Sequence, residues 1–406
     1  MVTTPEQPAS RNWTSSVRGS NQSGLRAHNE RLVLSLLRRE GPMAKAEIAR
    51  VSGLSAQTIS GIMRRLEEDG LLKRGEPIRG KVGQPSMPMH LAHDGAYFLG
   101  LKIGRRSVDL ILIDFLGKVL GRVHRTHPYP TPDAVMGFAL EALGELQAKL
   151  PPEKRPRIAG LGIAMPFRLW DWAVSIGAPL DDMEAWRDRD IRTELADRLD
   201  FPVYLCNDAS AACGAELVFG TGERPQVFLH FFIGYFIGGG LVLNGNLYTG
   251  RTGNAAALGS LPIPGPAGTY AQLVDVASLC VLEQEVRAAG RPTESLWNPP
   301  EGWDVPPAIL DTWISEASAS LAYAIAAAAS VIDSEVVMID GWLPVDVRRR
   351  LVEGTDRVLQ DLDVGGIEKP NVRPGTIGQD ARSLGAASLP LSDRYLLDLN
   401  AMMLPS

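Results

Sequence analysis

The 406-residue chain has few cysteines, scattered histidines and no long hydrophobic segment, and each shortage excludes a class of protein. Three cysteines, Cys206, Cys213 and Cys280, are too few for a disulfide framework or a four-ligand zinc site. The longest apolar stretch, 321–332, has twelve residues, whereas a membrane-spanning helix needs about 20. The first residues lack the apolar centre of a secretory signal. We therefore expect a cytoplasmic protein with no membrane partner.

The charge is divided unevenly along the chain. Residues 1–92 hold 14 Lys and Arg against 8 Asp and Glu, whereas the remainder holds 27 against 39. A basic segment ahead of an acidic one indicates that only the N-terminal segment contacts a polyanion such as DNA.

Composition and periodicity predict three segments. Residues 1–22 are rich in Ser, Thr, Asn, Gln and Pro without periodicity, which is typical of a disordered arm. Residues 23–92 are predicted to form a winged helix-turn-helix. Residues 93–406 are predicted to form a larger α/β effector domain, because strand-like and helix-like segments alternate there.

Three short amphipathic helices are predicted in the N-terminal segment. Apolar residues recur at helical spacing over 28–40 and 44–51, and Gly53 follows where a left-handed helix cap is needed. Ser55 caps the third helix, whose apolar residues follow the i, i+3, i+4, i+7 pattern. The basic, Gly- and Pro-containing segment after Gly70 is typical of a β-hairpin wing.

The opposite face of the third helix carries Gln57, Ser60 and Arg64, which have the donors and acceptors that read base edges in the major groove. The other residues of the predicted DNA-binding set cap the helix or hold phosphates; these are Lys45, Ser55, Thr58, Arg65, Arg79 and Lys81. The alternative is a solvated helix face in a protein-interaction module. Helix lengths, wing and local charge together favour double-stranded DNA.

The larger segment contains two similar sets of predicted strands. The first set comprises YFLGLKIG, VDLILID and KVLGRV, and the second comprises QVFLHFFIG, GGGLVLNG and NLYTG. Ile103-Gly104 of the first set recurs 130 positions later as Ile233-Gly234. This repetition predicts a duplicated domain: two α/β lobes, with parallel crossovers in each lobe and a cleft between the lobes.

Two motifs of this segment could bind a ligand. Asn207-Asp208 ends a strand-like segment and begins an Ala-rich helix; Asp208 could act as a general base or accept a hydrogen bond from a ligand hydroxyl. The alternative is a helix N-cap, and one residue can do both. GYFIGGG, residues 234–240, could cradle phosphate with backbone amides or form a tight hairpin, and Tyr235 and Phe236 crowd the phosphate position.

Taken together, these motifs resemble those of the ROK family (repressors, open reading frames and sugar kinases), in its regulator branch. The resemblance runs from about Asn29 to Ala387. It implies an α/β fold, in which a winged helix-turn-helix precedes a two-lobed, actin-like sugar-kinase domain. It rests on the motifs LSAQTISGIMRRLEEDGLL with the trailing GQP, LKIGRRSVDLILIDFLGKVL, the APL and Trp of 178–186, CNDASAACGAE, IGGGLVLNGNLYTG and the closing GAA at Gly385.

The resemblance also marks departures at the phosphate turns. Kinases of the family carry an acidic residue where this chain has Lys102, and Gly-Thr where it has Arg105-Arg106. In the second turn, the usual Gly-Thr-Gly is replaced by Gly234-Tyr235-Phe236. The resemblance therefore implies that metal-nucleotide binding is lost.

The sugar-contacting Glu and the zinc-ligating His of the family stand here as Ala257 and Ser260, and only Cys280 remains of the Cys cluster. The resemblance thus implies no metal and no cofactor. Only Asn207-Asp208 remains of the kinase's central chemistry, and a base alone cannot transfer phosphoryl groups efficiently.

Three functions follow from these observations. The first is a ligand-responsive transcription regulator, presumed a repressor, with no catalytic residues and a sugar-like effector near Asn207 and Asp208. The second is a sugar kinase with a DNA-binding domain. The third is a regulator that responds to a protein partner. A homodimer or homotetramer is expected, because lobe closure would then change the spacing of two DNA-binding domains.

Overall fold

The computed structural model describes residues 22–77, 87–265, 268–298 and 302–397. The predicted arm, 1–22, lies outside the described residues except for Gln22, which begins the first helix. The elements of the N-terminal domain are α1 (Gln22–Glu40), β1 (Met43–Ala44), α2 (Lys45–Ser52), α3 (Ala56–Glu68), β2 (Leu72–Arg74) and β3 (Pro88–Leu91).

These elements form the predicted winged helix-turn-helix. Gly53 ends α2 with a left-handed φ of 70°, and the Ser55 side chain caps α3 by accepting a hydrogen bond of 3.1 Å from the Thr58 amide. The apolar side of α3 is buried, which explains why the helix orients its polar side outward. β2 and β3 pair antiparallel as the base of the wing, and β1 adds to β3 on its other edge.

The larger domain has two lobes, which begin at β4 and β9. The first lobe contains β4 (Tyr97–Ile103), β5 (Ser107–Asp114), β6 (Val119–Thr126), α4 (Pro132–Ala148), β7 (Ile158–Met165), α5 (Ala173–Ile176), α6 (Leu180–Glu184), α7 (Ile191–Ala196), β8 (Val203–Asn207) and α8 (Asp208–Phe219). The second lobe contains β9 (Phe228–Ile233), β10 (Ile237–Leu243), β11 (Asn246–Leu247), β12 (Pro262–Pro264), β13 (Tyr270–Gln272), α9 (Leu279–Ala288), α10 (Pro307–Ala329), β14 (Val336–Gly341), α11 (Val345–Asp361) and β15 (Asn371–Pro374). The chain then returns to the first lobe in α12 (Ala381–Tyr395), which packs on β4 and β7.

The two main sheets have the same topology. Their strand orders are β6-β5-β4-β7-β8 and β11-β10-β9-β14-β15. In each sheet the first strand forms an antiparallel hairpin with the second, and it pairs parallel with the fourth. The predicted duplication, with its parallel crossovers and actin-like arrangement, is therefore confirmed.

Helices α8 and α12 lie together between the two sheets. A Cβ atom added to Gly385 of α12 would lie 1.8 Å from the carbonyl oxygen of Ala211 in α8, so the two helix backbones are in direct contact. A Cβ on Gly238 or Gly240 of β10 would likewise meet Ala209 or Cys213 of α8. Gly238 and Gly240 therefore allow α8 to pack closely on β10. The hairpin turn of the GYFIGGG motif lies at 234–236, before these two glycines.

The N-terminal domain shares a hydrophobic core with the first lobe. Side chains of α1 and α3 pack in one cluster with Phe98 of β4 and Phe115 after β5. Tyr395 of α12 contacts both rings, at centroid distances of 5.8 and 5.1 Å, and Arg38 of α1 donates to the Phe115 carbonyl. We name the Phe98, Phe115 and Tyr395 contact the aromatic seam.

All three cysteines are buried and free. Within the described ranges, no helix is long and apolar enough to span a bilayer.

Candidate functional site

The exposed face of α3 is the candidate DNA interface. Gln57, Ser60 and Arg64 are all solvent-exposed, and 75% of the Arg64 side chain is accessible. Arg64 has a loose ion pair with Glu68, at 3.8 Å, on the same helix. Such an exposed pair contributes little to stability, so this guanidinium can leave it for a base edge at little cost.

The residues predicted to contact phosphates differ in exposure and in their hydrogen-bond partners. Lys45 is exposed at the start of α2, and the Thr58 hydroxyl lies 2.8 Å from that of Ser55. Arg65 Nε donates to Glu30 of α1 at 3.0 Å, so its guanidinium also ties two helices together. Arg79 and Lys81 lie outside the described residues. The DNA-binding roles of all these residues stay predictions.

A cavity of about 280 Å³ opens between the lobes at the start of α8. Its polar lining comes from both lobes. It is lined by Arg105, Pro166, Phe167, Arg168, Asp171, Trp172, Asn207, Asp208, Ala209, Phe232, Phe236, Ile237, Gly238, Gly239, Asn254, Ala256, Ala257, Gly259, Ser260 and Val274. A concave site with apolar walls and a few polar groups is typical of small-molecule binding, and this volume lies at the small end of such sites.

Asn207 and Asp208 have different roles: the first caps α8, and the second faces the cavity. The Asn207 side chain caps α8, because its Oδ1 accepts from the amides of Ala209 and Ser210 at 3.0 and 3.4 Å. Asp208 is the first residue of the helix, and it lies 3.3 Å from Nη1 of Arg382 in α12. Both side chains of this ion pair are mostly buried, and the carboxylate faces the cavity.

Lys102 lies in β4, just before the first glycine-containing turn, and forms a buried ion pair. Its Nζ donates to Asp109 at 2.8 Å and to Ser107 at 2.5 Å, and Asp109 also binds His124 at 2.6 Å. Burial is the largest influence on Asp109, but Lys102 and His124 outweigh it and hold the pKa of this carboxyl well below its usual range. Lys102, Ser107, Asp109 and His124 therefore satisfy one another.

Aromatic rings and arginines fill the space between the two glycine-containing turns. The Arg105 guanidinium lies 4.3 Å from the Phe236 ring centroid and 5.5 Å from that of Trp172, and Arg106 lies 5.1 Å from Tyr235. The cavity left there is about 30 Å³. This volume is enough for one or two water molecules and too small for a nucleotide triphosphate.

One group of potential metal ligands occurs among the described residues, away from the cavity lining. The ligand atoms of Glu216, His230 and Asp340 lie within 4.8 Å of one another in the core. Glu216 already accepts from Thr376, at 2.7 and 2.9 Å, and Asp340 accepts from Arg348 at 2.6 Å. These carboxylates are thus engaged within the protein, and the absence of a metal stays a prediction.

Several residues that line the cavity or contact its lining were not predicted as site residues. Arg382 reaches Asp208 from a position 174 residues away, and no local pattern signals such a contact. Asp171, Trp172 and Asn254 lie in loops or short helical turns without periodicity. Arg105 was noted as a departure from the family's turn, and that departure was the available signal.

His127 lies behind the first turn and gives a prediction for pH dependence. Burial, with Lys102 and Arg106 nearby, lowers the pKa of His127 to about 4. The unfolded chain, with a pKa near 6.5, therefore binds more protons than the folded protein as pH falls below that value. We expect His127 to remove about 1 to 2 kcal/mol of stability between pH 7 and pH 5.

Urea unfolding of His127→Phe at both pH values measures this contribution, because the variant cannot take up the proton. The pH-dependent loss should shrink by that amount. His93→Gln, at an exposed position, controls for the loss of one histidine. Equal losses in wild type and His127→Phe would contradict the prediction.

Comparisons with known proteins agree with this architecture. A model of the ROK family matches residues 98–281, and a model described as winged helix-turn-helix DNA-binding matches residues 26–73. An uncharacterized protein of Sinorhizobium fredii is 26% identical over 89% of this chain and 90% of its own. The xylose repressor of Bacillus spizizenii is 22% identical, over 60% of this chain and 62% of its own length.

Among solved structures, a ROK family transcriptional regulator, a homologue of the E. coli MLC protein, superposes with a TM-score of 0.65 and 20% identity. The superposition covers 91% of this chain and 97% of that one, and it shows the shared fold. Fold and matches together define a winged helix-turn-helix DNA-binding domain on an actin-like body. The chain contains a ROK family domain behind a winged helix-turn-helix DNA-binding domain.

Proposed function

We propose that the protein is a transcriptional repressor that binds operator DNA through α3 and releases it when a small hydroxylated effector enters the cavity between the lobes. The observation that carries the proposal is the shared core: the DNA-binding domain is packed on the same lobe that supplies Asp208 to the cavity. A ligand that favours one arrangement of the lobes then changes the position of α3.

Two features support a site for hydroxylated molecules. Asp208 offers carboxylate oxygens to the cavity, and Asn254 and Ser260 add amide and hydroxyl groups from the second lobe. Because both lobes contribute, a ligand that binds these groups together stabilises the closed arrangement. In a homodimer, which we propose as the operator-binding form, closure changes the distance between two α3 helices.

The cavity is proposed to bind without catalysis. The first turn presents the Lys102 and Asp109 pair in place of a free carboxylate for a metal, and the space between the turns holds about 30 Å³. Phosphoryl transfer needs a nucleotide and its metal ion in line with the sugar hydroxyl, and the space between these turns is too small for the nucleotide.

The kinase alternative is tested by incubating the purified protein with ATP, magnesium and a set of hexoses. We expect no sugar phosphate above the background of a protein-free sample. Sugar-dependent turnover that disappears in Asp208→Asn would establish the kinase, because it would assign the general base to that carboxylate.

The effector role of the cavity is tested with Asp208→Asn. The variant loses the carboxylate but keeps the Asn207 cap on α8, so we expect a folded protein. Its affinity for operator DNA without ligand should remain near that of wild type, and the release of DNA by effector should be lost. The measurement is a gel shift on DNA selected by wild type from a random library, with and without sugars.

Asp171→Asn is the matched control, since Asp171 lines the same cavity but pairs with the exposed Arg168 at 2.7 Å. We expect Asp171→Asn to keep at least part of the effector-induced release of DNA. A regulator that responds to a protein partner is the remaining alternative. It would be favoured if no small molecule raised the melting temperature of wild type.

A further inference from the structure

Three arginines lie in or beside the cavity against two carboxylates, when Arg382, which pairs with Asp208 from outside the lining, is counted. Asp171 pairs with Arg168 at 2.7 Å, and Asp208 pairs with Arg382 at 3.3 Å. Arg105 is the remaining charged residue of the lining. Within the described part of the chain, no carboxylate lies within ion-pair distance of its guanidinium, and its Nε has no hydrogen-bond acceptor.

Arg105 is also deeply buried, with only 9% of the residue exposed. Burial lowers the pKa of Arg105 to about 10, so the group still carries its charge at neutral pH. An unpaired buried charge is costly, and natural proteins usually pair such charges or use them for binding. The rings of Phe236 and Trp172 offset part of the cost through cation–π contacts, but they leave the donors in the plane of the guanidinium free.

The neighbouring cations Lys102 and Arg106, in contrast, have partners. Lys102 is bound to Asp109 and Ser107, and Arg106 donates to the Pro128 carbonyl at 2.9 Å. Arg106 also pairs with Glu283 at 3.6 Å, so Arg105 is distinguished from these two cations by having no carboxylate partner among the described residues and by its place in the cavity wall. The two rings fix the plane of its guanidinium, which prepares it for a planar or tetrahedral oxyanion.

We propose that the effector is a small hydroxylated molecule carrying one acidic group, a carboxylate or a phosphate, and that Arg105 pairs with this group. The inference rests on the proposed function and deepens it, because it names the chemical class of effector. The hydroxyl groups would meet Asp208, Asn254 and Ser260, while the acidic group neutralises the excess charge of the cavity.

The test compares neutral sugars with acidic counterparts of the same skeleton on the full-length protein. The probes are glucose, glucuronate and glucose 6-phosphate, then galactose and galacturonate, and finally acetate and inorganic phosphate alone. Calorimetry and thermal shift should show an acidic sugar bound at least tenfold more tightly than its neutral counterpart and than the simple anions. Comparing glucuronate with glucose 6-phosphate shows whether the site prefers a carboxylate or a phosphate.

Arg105→Gln should abolish this preference by weakening the acidic sugar at least tenfold while leaving neutral sugars unchanged. Arg168→Gln is the matched control, since Arg168 lines the same cavity but is 71% exposed and paired, and it should change affinity less than threefold. Wild type alone keeps the test decisive if Arg105→Gln does not fold. Neutral sugars bound as tightly as acidic ones, equal binding of simple anions, or no binding by any probe would overturn the inference.

The gel shift separates failure of this inference from failure of the proposed function. Release of operator by a neutral sugar would reject the acidic effector and keep the repressor. Tight binding of an acidic sugar without any effect on DNA affinity would keep the site and reject its regulatory role.

Discussion

Replacing Gly385 with alanine is expected to destabilise the protein by about 3 kcal/mol or more. The added Cβ would lie 1.8 Å from the Ala211 carbonyl oxygen, and backbone on both sides cannot move away as a flexible side chain does. Overpacking typically costs about 1 to 3 kcal/mol, and a clash between two helix backbones belongs at the upper end. In a domain of about 300 residues, the melting temperature should fall by roughly 5 °C or more.

Gly137→Ala is the matched control. Gly137 lies in α4, and a Cβ there meets no atom within 4 Å. That substitution should stabilise the helix by about 0.5 to 1 kcal/mol, because alanine loses less backbone entropy than glycine. If Gly385→Ala melts at the wild-type temperature, α8 and α12 are not in the direct contact described above.

Arg64→Ala is expected to weaken operator binding by about 1 to 3 kcal/mol, as the loss of a base-reading arginine does. Its side chain is 75% exposed on α3, and among the described residues its ion-pair partner is Glu68, at 3.8 Å. Stability should be almost unchanged, since an exposed pair at 3.8 Å contributes little. A gel shift on selected DNA and on a scrambled sequence measures both the affinity and the specificity.

Arg39→Ala removes the same charge from the same domain, but from the end of α1, where Arg39 pairs with Glu40 at 2.6 Å. It should weaken both DNA sequences by a similar, small factor. A loss in Arg64→Ala that was equal on operator and scrambled DNA would remove Arg64 from the base-reading set and assign it to a phosphate.

The sequence was most informative where patterns are local. The spacing of Ile59, Ile62, Met63 and Leu66 predicts α3 with its buried side, and the cap by Ser55 is confirmed by the structure. The repeated strand motifs predict the duplicated lobes because each lobe must bury the same kind of sheet.

The sequence was least informative for α12 and for the cavity. α12 was not predicted because glycine and small residues contact backbone on both sides, which leaves no clear apolar stripe at helical spacing. Its place between the sheets brings Arg382 to Asp208, a contact that only the tertiary fold creates. The free donors of Arg105 likewise depend on which carboxylates the fold places elsewhere.

We expect the DNA-binding domain to move with the first lobe as one rigid extension, because side chains of α1 and α3 pack in one cluster with the rings of the aromatic seam and Arg38 of α1 lies over the Phe115 ring. A rigid extension converts a small rotation at the cavity into a larger translation at its far end, in proportion to the distance from the rotation axis. Under the proposed mechanism, a slight closure around the effector is therefore amplified at the DNA by leverage. The seam also ties the evolution of operator recognition to that of the lobe, because a transplanted winged helix must match these rings.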